Sequence, residues 1–249
     1  MNEKICIAIP INTSNLEEIR LRIYKILEYN PEFLELRFDY IPDVNVLTED
    51  FIMQIKTSIE SKVYSIFTFR DKSEGGEMAL DKTSRFTILK RLIEHQPDFF
   101  DIEMNSRTEL LSEIISLCYM NKVNIIFSQH NFESTTTLEQ GKEIILRFEE
   151  RVIKNNLNEF DILSKSVFKI IFTAQKIEDN LVPLTLCQEF SQNYRKIISF
   201  CMGEMGILSR LFCIKYGSFL TYASFGENTA SGQINIDTLQ KLYKFLFSE

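Results

Sequence analysis

The strongest constraint in this sequence is an alternation that runs almost from end to end. Short apolar runs, rich in β-branched and aromatic residues, are separated by longer amphipathic stretches. The short runs fall at 5–10, 33–40, 63–70, 99–104, 124–130, 167–174, 196–202 and 219–224, lengths that suit buried strands. The stretches between them carry helical spacing. In 81–94, Phe86, Leu89 and Ile93 recur at intervals of three and four behind a candidate N-cap, Asp81, and the last such stretch is 237–247. Strict strand–helix alternation predicts a parallel sheet joined by helical crossovers. Eight units in 249 residues match an α/β (β/α)8 TIM barrel, a single domain over 1–249. A doubly wound open sheet is the competitor, but it ordinarily carries a glycine-rich turn after its first strand. Here the first strand runs into IPINTSN, without a glycine. One unit is irregular: 138–166 is too long for a crossover helix and a short loop, so an extended helix or added surface turn is expected around 150–166, of small functional weight.

Composition narrows the functional classes. At 45% hydrophobic and 25% charged residues the chain has the balance of a folded globular protein. A formal net charge of -7 argues against a non-specific grip on nucleic acid or on an anionic membrane, while leaving room for a local basic pocket. No apolar run approaches the roughly 18 residues of a membrane helix, and no cleavable leader pattern is visible. The five cysteines are scattered through apolar runs without a C-x-x-C pair, which predicts reduced, buried thiols and a cytoplasmic setting. Two histidines and dispersed cysteines offer no metal cluster, so no metal is expected.

Parallel barrel strands are buried on both faces, so ionisable residues within them need a reason. Glu35 and Arg37 lie two apart on the second strand and share a face, as do Asp101 and Glu103 on the fourth. The third strand ends at Arg70, followed by Glu74, Gly75 and Gly76; the fifth ends at His130; the sixth carries Lys169. The seventh leads to Met202 and Gly203, with Arg210 in the next helix. Most of these sit near the carboxyl ends of strands, the face that carries the active site in barrel enzymes. A single inward Glu–Arg pair could be a self-neutralising network, but six strands aiming ionisable groups at one mouth predict a catalytic site. Lys169, flanked by apolar residues in VFKIIFTA, has two readings: an amine poised to form a Schiff base with a ketone, or a lysine snorkelling from a strand end.

The segments ELR (35–37), TFRDKSEGGE (68–77), DIE (101–103), SQHNF (128–132), FKI (168–170), MGEMGILSR (202–210) and TASGQ (229–233), in this order, resemble the type I 3-dehydroquinate dehydratase family. The resemblance covers nearly the whole chain. It implies a (β/α)8 barrel, commonly a homodimer, that removes water from 3-dehydroquinate to give 3-dehydroshikimate in the shikimate route to aromatic amino acids. No metal and no organic cofactor are implied. By position, Lys169 resembles the Schiff-base lysine, His130 the proton donor and acceptor, and Glu74 the glutamate that orients it. Arg210, Thr229 and Gln233 resemble residues that hold the substrate carboxylate and a neighbouring hydroxyl. Glu35, Arg37 and Arg70 resemble those that read the ring hydroxyls, with Asp101, Glu103, Met202 and Tyr222 in support.

The chain departs from the family pattern in three places. The usual Ser-Ala-Pro-Gly-Gln of the loop after the eighth strand reads Thr229-Ala230-Ser231-Gly232-Gln233, and the missing proline predicts a looser lid over 226–233. Gln129 stands where tyrosine is common, and Asn131 where aspartate is usual. The long fifth unit makes Lys165 the one nearby rival of Lys169, but Lys165 lies in a polar loop. A class I aldolase is the alternative enzyme reading, and a catalytically silent barrel scaffold the alternative outside enzymes. His95 reads as a helix-end residue.

Overall fold

The computed structural model of the chain describes residues 4–59, 63–226 and 231–247. Eight parallel strands form its inner wall: β1 (Ile5–Pro10), β2 (Phe33–Arg37), β3 (Tyr64–Thr68), β4 (Phe99–Glu103), β5 (Asn124–His130), β6 (Val167–Thr173), β7 (Lys196–Met202) and β8 (Thr221–Ser224). A two-residue strand, β9 (Ile234–Asn235), pairs with the end of β8. Crossovers run through α1 (Leu16–Leu27), α2 (Glu49–Lys56), α3 (Lys82–Glu94), α4 (Thr108–Asn121), α5 (Leu138–Lys154), α6 (Ile162–Lys165), α7 (Leu181–Gln192) and α8 (Ile207–Phe212), and α9 (Ile236–Phe247) closes the described chain. Helices α1, α2, α3 and α5 start where a short polar side chain takes up free N–H groups. Asp81 caps α3 as expected, Asn15 caps α1, and Thr137 with Gln140 forms a capping box on α5.

The hydrogen-bonded strand order is β7-β6-β5-β4-β3-β2-β1-β8-β9, every pairing parallel: the curled sheet of a (β/α)8 barrel. The seam lies between β7 and β8. At the amino end Phe219 N–H donates to Ile197 O at 2.6 Å. At the carboxyl end the segment 231–235 spans the gap, Gly203 N–H donating to Ser231 O at 3.3 Å while β9 runs along Ala223 and Ser224. This crossing needs a glycine: Gly232 has φ +75°, and a Cβ there would stand 2.3 Å from Gly203 O.

The two ends of the barrel differ in chemistry. The amino end is plugged by Phe33, Phe99 and Phe219, whose rings lie 5.5 to 5.8 Å apart, with Lys4 above Phe219. The carboxyl end holds the ionisable groups. Parallel register sets this layer, because Glu103 pairs with Ser128 and Ser128 with Lys169, so their side chains share one level of the interior.

Two expectations need correction. The run 33–40 is not one strand: β2 stops at Arg37, and 38–40 form a 3-10 turn that buries Asp39. The long fifth unit resolves into α5, a turn and the short α6, with Tyr119 stacked on Phe160 at 3.7 Å. The small weight expected of this unit does not hold for Arg151. Arg151 on α5 donates from Nη2 to Met104 O at 2.5 Å and Ser106 O at 3.2 Å, gripping the loop that follows β4. His95 is a helix-end residue, its two ring nitrogens facing Arg91 O and Glu49 O.

Candidate active site

Lys169 enters the site from the middle of β6, where alternation turns it inward while Phe168 and Ile170 pack outward. It is 5% exposed. Its Nζ donates to Asp101 Oδ2 at 3.0 Å and to the Tyr222 hydroxyl at 3.2 Å, with Glu35 Oε1 at 3.9 Å. The ammonium also sits 4.7 Å from the centre of the Tyr222 ring. A lysine escaping to solvent would meet none of these partners, so the snorkelling reading fails.

Asp101 ties the lysine to an ionic network on β3, β4 and β5. Arg70 Nη2 lies 2.9 Å from Asp101 Oδ2, and Arg70 Nη1 reaches Glu103 Oε1 at 3.3 Å and Ser128 Oγ at 2.5 Å. Ser128 in turn donates to Asp101 Oδ1 at 2.6 Å. Glu103 is saturated from outside by Arg85 Nη2 at 2.7 Å and by the Asp71 N–H at 2.8 Å. Burial works to raise the Asp101 pKa, but Arg70, Lys169 and the Ser128 hydroxyl hold it below the ordinary carboxylate range. Burial likewise works against the Arg70 charge, yet Asp101, Glu103, Glu35 and Glu74 carry its pKa above the usual value. Both groups are therefore ionised at neutral pH.

His130 ends β5 beside Glu74, which rides on a 3-10 turn (Lys72–Glu74) capped by Asp71. Gly76 lets that turn fold back, because a Cβ there would stand 2.0 Å from Arg70 O. Glu74 Oε2 accepts the His130 backbone N–H at 3.2 Å and faces His130 Nδ1 at 3.3 Å. Burial, with Arg70 and Lys169 adding like charge, lowers the His130 pKa well below its ordinary value. The imidazole is accordingly neutral, and Nδ1–H directed at Glu74 leaves Nε2 with the free lone pair. Burial also pushes the Glu74 carboxyl up to about 7.

Arg210 is buried, with its guanidinium 4.3 Å from the Phe200 ring and Nη2 donating to Ser231 O at 3.4 Å. No carboxylate among the described residues pairs with it, and its Nε has no hydrogen-bond partner. Burial lowers its pKa from 12.5 to about 10. On the other side Arg37 is held by both Asp39 oxygens at 2.8 Å, and Glu35 accepts from Thr68 Oγ1 at 2.6 Å. A cavity of about 80 Å3 joins these groups, with Lys169, His130, Glu74, Arg210, Met202 and Gln233 in its lining. Thr229 lies outside the described residues. Lys165 is exposed at the end of α6, bonded to Phe160 O, and takes no part. Among the described residues no group of three or more metal-ligating side chains converges.

A model of the family described as "Type I 3-dehydroquinase" matches residues 7–249. The chain belongs to the type I 3-dehydroquinase family. A 3-dehydroquinate dehydratase from Methanococcus maripaludis is 31% identical over 246 residues, 96% of this chain and 99% of that protein. A bifunctional chloroplastic 3-dehydroquinate dehydratase/shikimate dehydrogenase from Arabidopsis thaliana is 27% identical over 244 residues. That match takes in 96% of this chain but 37% of that longer protein. The crystal structure of type I 3-dehydroquinate dehydratase from Clostridium difficile with covalently modified comenic acid superposes with a TM-score of 0.81 at 25% identity, covering 98% of this chain and 92% of that one.

Sequence reasoning overlooked Asp39, Thr68, Arg85, Asn105 and Ser128. Thr68 and Ser128 were accessible by parity, two residues before Arg70 and His130 on the same strand faces. Asp39 shares the parity of Glu35 and Arg37 within 33–40, whereas Arg85, outside the apolar stripe of 81–94, carries no such signal. The two unusual neighbours of His130 divide cleanly. Gln129 points away by alternation, while Asn131 Oδ1 caps the next turn, accepting the Glu133 and Ser134 N–H groups at 3.0 Å.

Proposed function

We propose that this chain converts 3-dehydroquinate to 3-dehydroshikimate by eliminating water through an imine on Lys169. The observation that carries the reading is a buried amine and a neutral imidazole lining one cavity, the amine next to a carboxylate and the imidazole braced by a second one. Lys169 gives up one proton, Nζ adds to the C3 ketone, and that proton returns to the carbinolamine oxygen, which leaves as water to give an iminium. The iminium nitrogen is an electron sink, so the C2–H becomes acidic enough for His130 Nε2 to remove it. The resulting enamine expels the C1 hydroxyl, which takes its proton from the imidazolium. Water then hydrolyses the conjugated iminium and returns Lys169. The net change is loss of one water, with every proton accounted for and the lysine supplying the electron sink itself.

The remaining groups hold the substrate. Arg210, without a carboxylate partner among the described residues, suits a two-point contact with the substrate carboxylate. Gln233 and Thr229 join Arg210 at the carboxylate and a neighbouring hydroxyl, while Glu35, Arg37 and Arg70 address the ring hydroxyls. A homodimer and a cytoplasmic setting belong to the same reading, and no helix among the described residues is long and apolar enough to cross a membrane. Mass photometry tests the dimer. Incubation with 3-dehydroquinate tests the activity: a rise in absorbance from the conjugated enone product supports it. Carbon–carbon cleavage products, as an aldolase would give, refute it.

A further inference from the structure

Glu74 lines two cavities: the one containing Lys169 and a second of about 500 Å3 on the outer side, between α3 and α4. Its two oxygens divide accordingly. Oε2 faces inward and is used entirely by His130, through the backbone N–H and the ring. Oε1 faces outward and accepts a hydrogen bond from Asn105 Nδ2 at 3.2 Å. Asn105 follows β4 by two residues, in the outer cavity's lining.

The backbone around Asn105 is fixed from three directions. Met104 N–H donates to Ser128 O at 2.7 Å, tying the loop to β5. Ser106 N–H donates to Glu103 O at 3.1 Å, tying it back to β4. From α5, Arg151 takes the carbonyls on either side of Asn105. An exposed asparagine in an ordinary surface loop has no such support, so the amide is presented to Glu74 by built structure.

We propose that Asn105 is a positioning residue for the acid/base pair, its amide holding the Glu74 oxygen that His130 leaves free. The inference rests on the reading of His130 as the acid/base group and Glu74 as its partner. With both oxygens engaged, the carboxylate plane cannot rotate away from Nδ1 without losing a partner. The Asn105 donor also favours the ionised form of Glu74, the form that can accept Nδ1–H.

The charged groups facing Glu74 are Arg70 on the end of β3, Glu103 on β4, His130 on β5 and Asp71 on its own turn. Lys82 and Arg85 on α3, Arg107 ahead of α4, and Glu109 and Glu113 on α4 line the outer cavity with it. Arg85 is already engaged by Glu103 and Asp71, so it offers Glu74 little. Glu103 opposes ionisation of Glu74, whereas Arg70, the His130 N–H and Asn105 support it. Removing the Asn105 donor shifts this balance toward the protonated carboxyl.

The test compares pH profiles of kcat and kcat/KM for the wild type and for Asn105→Leu, Asn105→Asp and Asn105→Gln, each with borohydride trapping of the imine. Leucine fills the position without offering a donor, where alanine would admit a water that could replace the amide. With leucine, the acid limb of kcat moves up by about 0.5–1 pH unit, the yield of one net hydrogen bond. The rate at neutral pH falls about 2- to 5-fold, while KM stays within twofold and trapping persists. Aspartate puts a second carboxylate against Glu74 and moves the limb further than leucine does. Glutamine restores part of the rate. A limb unmoved by both leucine and aspartate, or a loss confined to KM, overturns the proposal. His130→Ala separates its failure from that of the underlying reading: normal turnover in that variant overturns the reading itself, whatever the Asn105 variants do.

Discussion

Replacing Arg210 with methionine should stabilise the free protein while disabling it. The guanidinium is 1% exposed, has no carboxylate partner among the described residues, and has its pKa lowered from 12.5 to about 10 by burial. At about 1.4 kcal/mol per pH unit, that corresponds to a cost on the order of 3 kcal/mol at neutral pH. The sign follows from linkage: a base with a lowered folded pKa binds its proton less well in the native state, so the charge opposes folding at every pH below about 10. The Phe200 contact and the bond to Ser231 offset part of this. Arg210→Met should therefore gain about 1–2 kcal/mol, a rise in Tm of about 2–8 °C for a domain of this size. The same variant loses two charge-assisted hydrogen bonds to the substrate carboxylate, at about 1.5–3 kcal/mol each, so kcat/KM falls by roughly 10²- to 10⁴-fold. Thermal denaturation without substrate, paired with steady-state kinetics, measures both. A lower Tm together with kcat/KM within tenfold of wild type would mean that Arg210 is a structural residue, and the reasoning fails.

His130→Ala should lower kcat by about 10²- to 10⁴-fold while borohydride still traps the imine on the enzyme; loss of trapping would assign His130 to imine formation instead. Glu74→Gln has a pH signature in stability. Because the folded carboxyl is raised from 4.5 to about 7, the native state holds this proton more tightly, and wild-type stability falls relative to the variant as pH rises across that window. The full difference is roughly 3 kcal/mol, and parallel denaturant titrations at pH 4.5 and pH 8 that give one constant offset would refute it. Asp39→Asn frees the Arg37 guanidinium from its bidentate partner, so KM should rise roughly tenfold with kcat within twofold; an unchanged KM would remove Arg37 from substrate binding.

Strand parity made much of the site legible. In ELR, DIE and SQH the polar residues stand two apart, so one strand direction sends both side chains to the same interior, and the barrel brings all three segments beside Lys169. The apolar flanks of Lys169 left a buried amine and a snorkelling one both open, and its partners Asp101 and Tyr222 decide between them. What stayed hidden depends on contacts between distant segments or on local turns. Asp39 sits two residues from Arg37, yet the pair meets only because the chain leaves β2 in a 3-10 turn. Arg85 belongs to a helix whose apolar stripe dominates its pattern, and its reach to Glu103 depends on how α3 packs. Arg151, in a stretch dismissed as a surface addition, grips a loop 47 residues earlier. The seam between β7 and β8 was equally invisible, since alternation counts strands without saying which edge the 231–235 segment will fill.

The account depends most on the amine that forms the imine. Borohydride reduction during turnover of 3-dehydroquinate, followed by peptide mass mapping, reads it directly. The expected result is a single reduced adduct on Lys169 with matching loss of activity, and no adduct in Lys169→Met. An adduct on Lys165, or none at all in protein that is turning over, would contradict it.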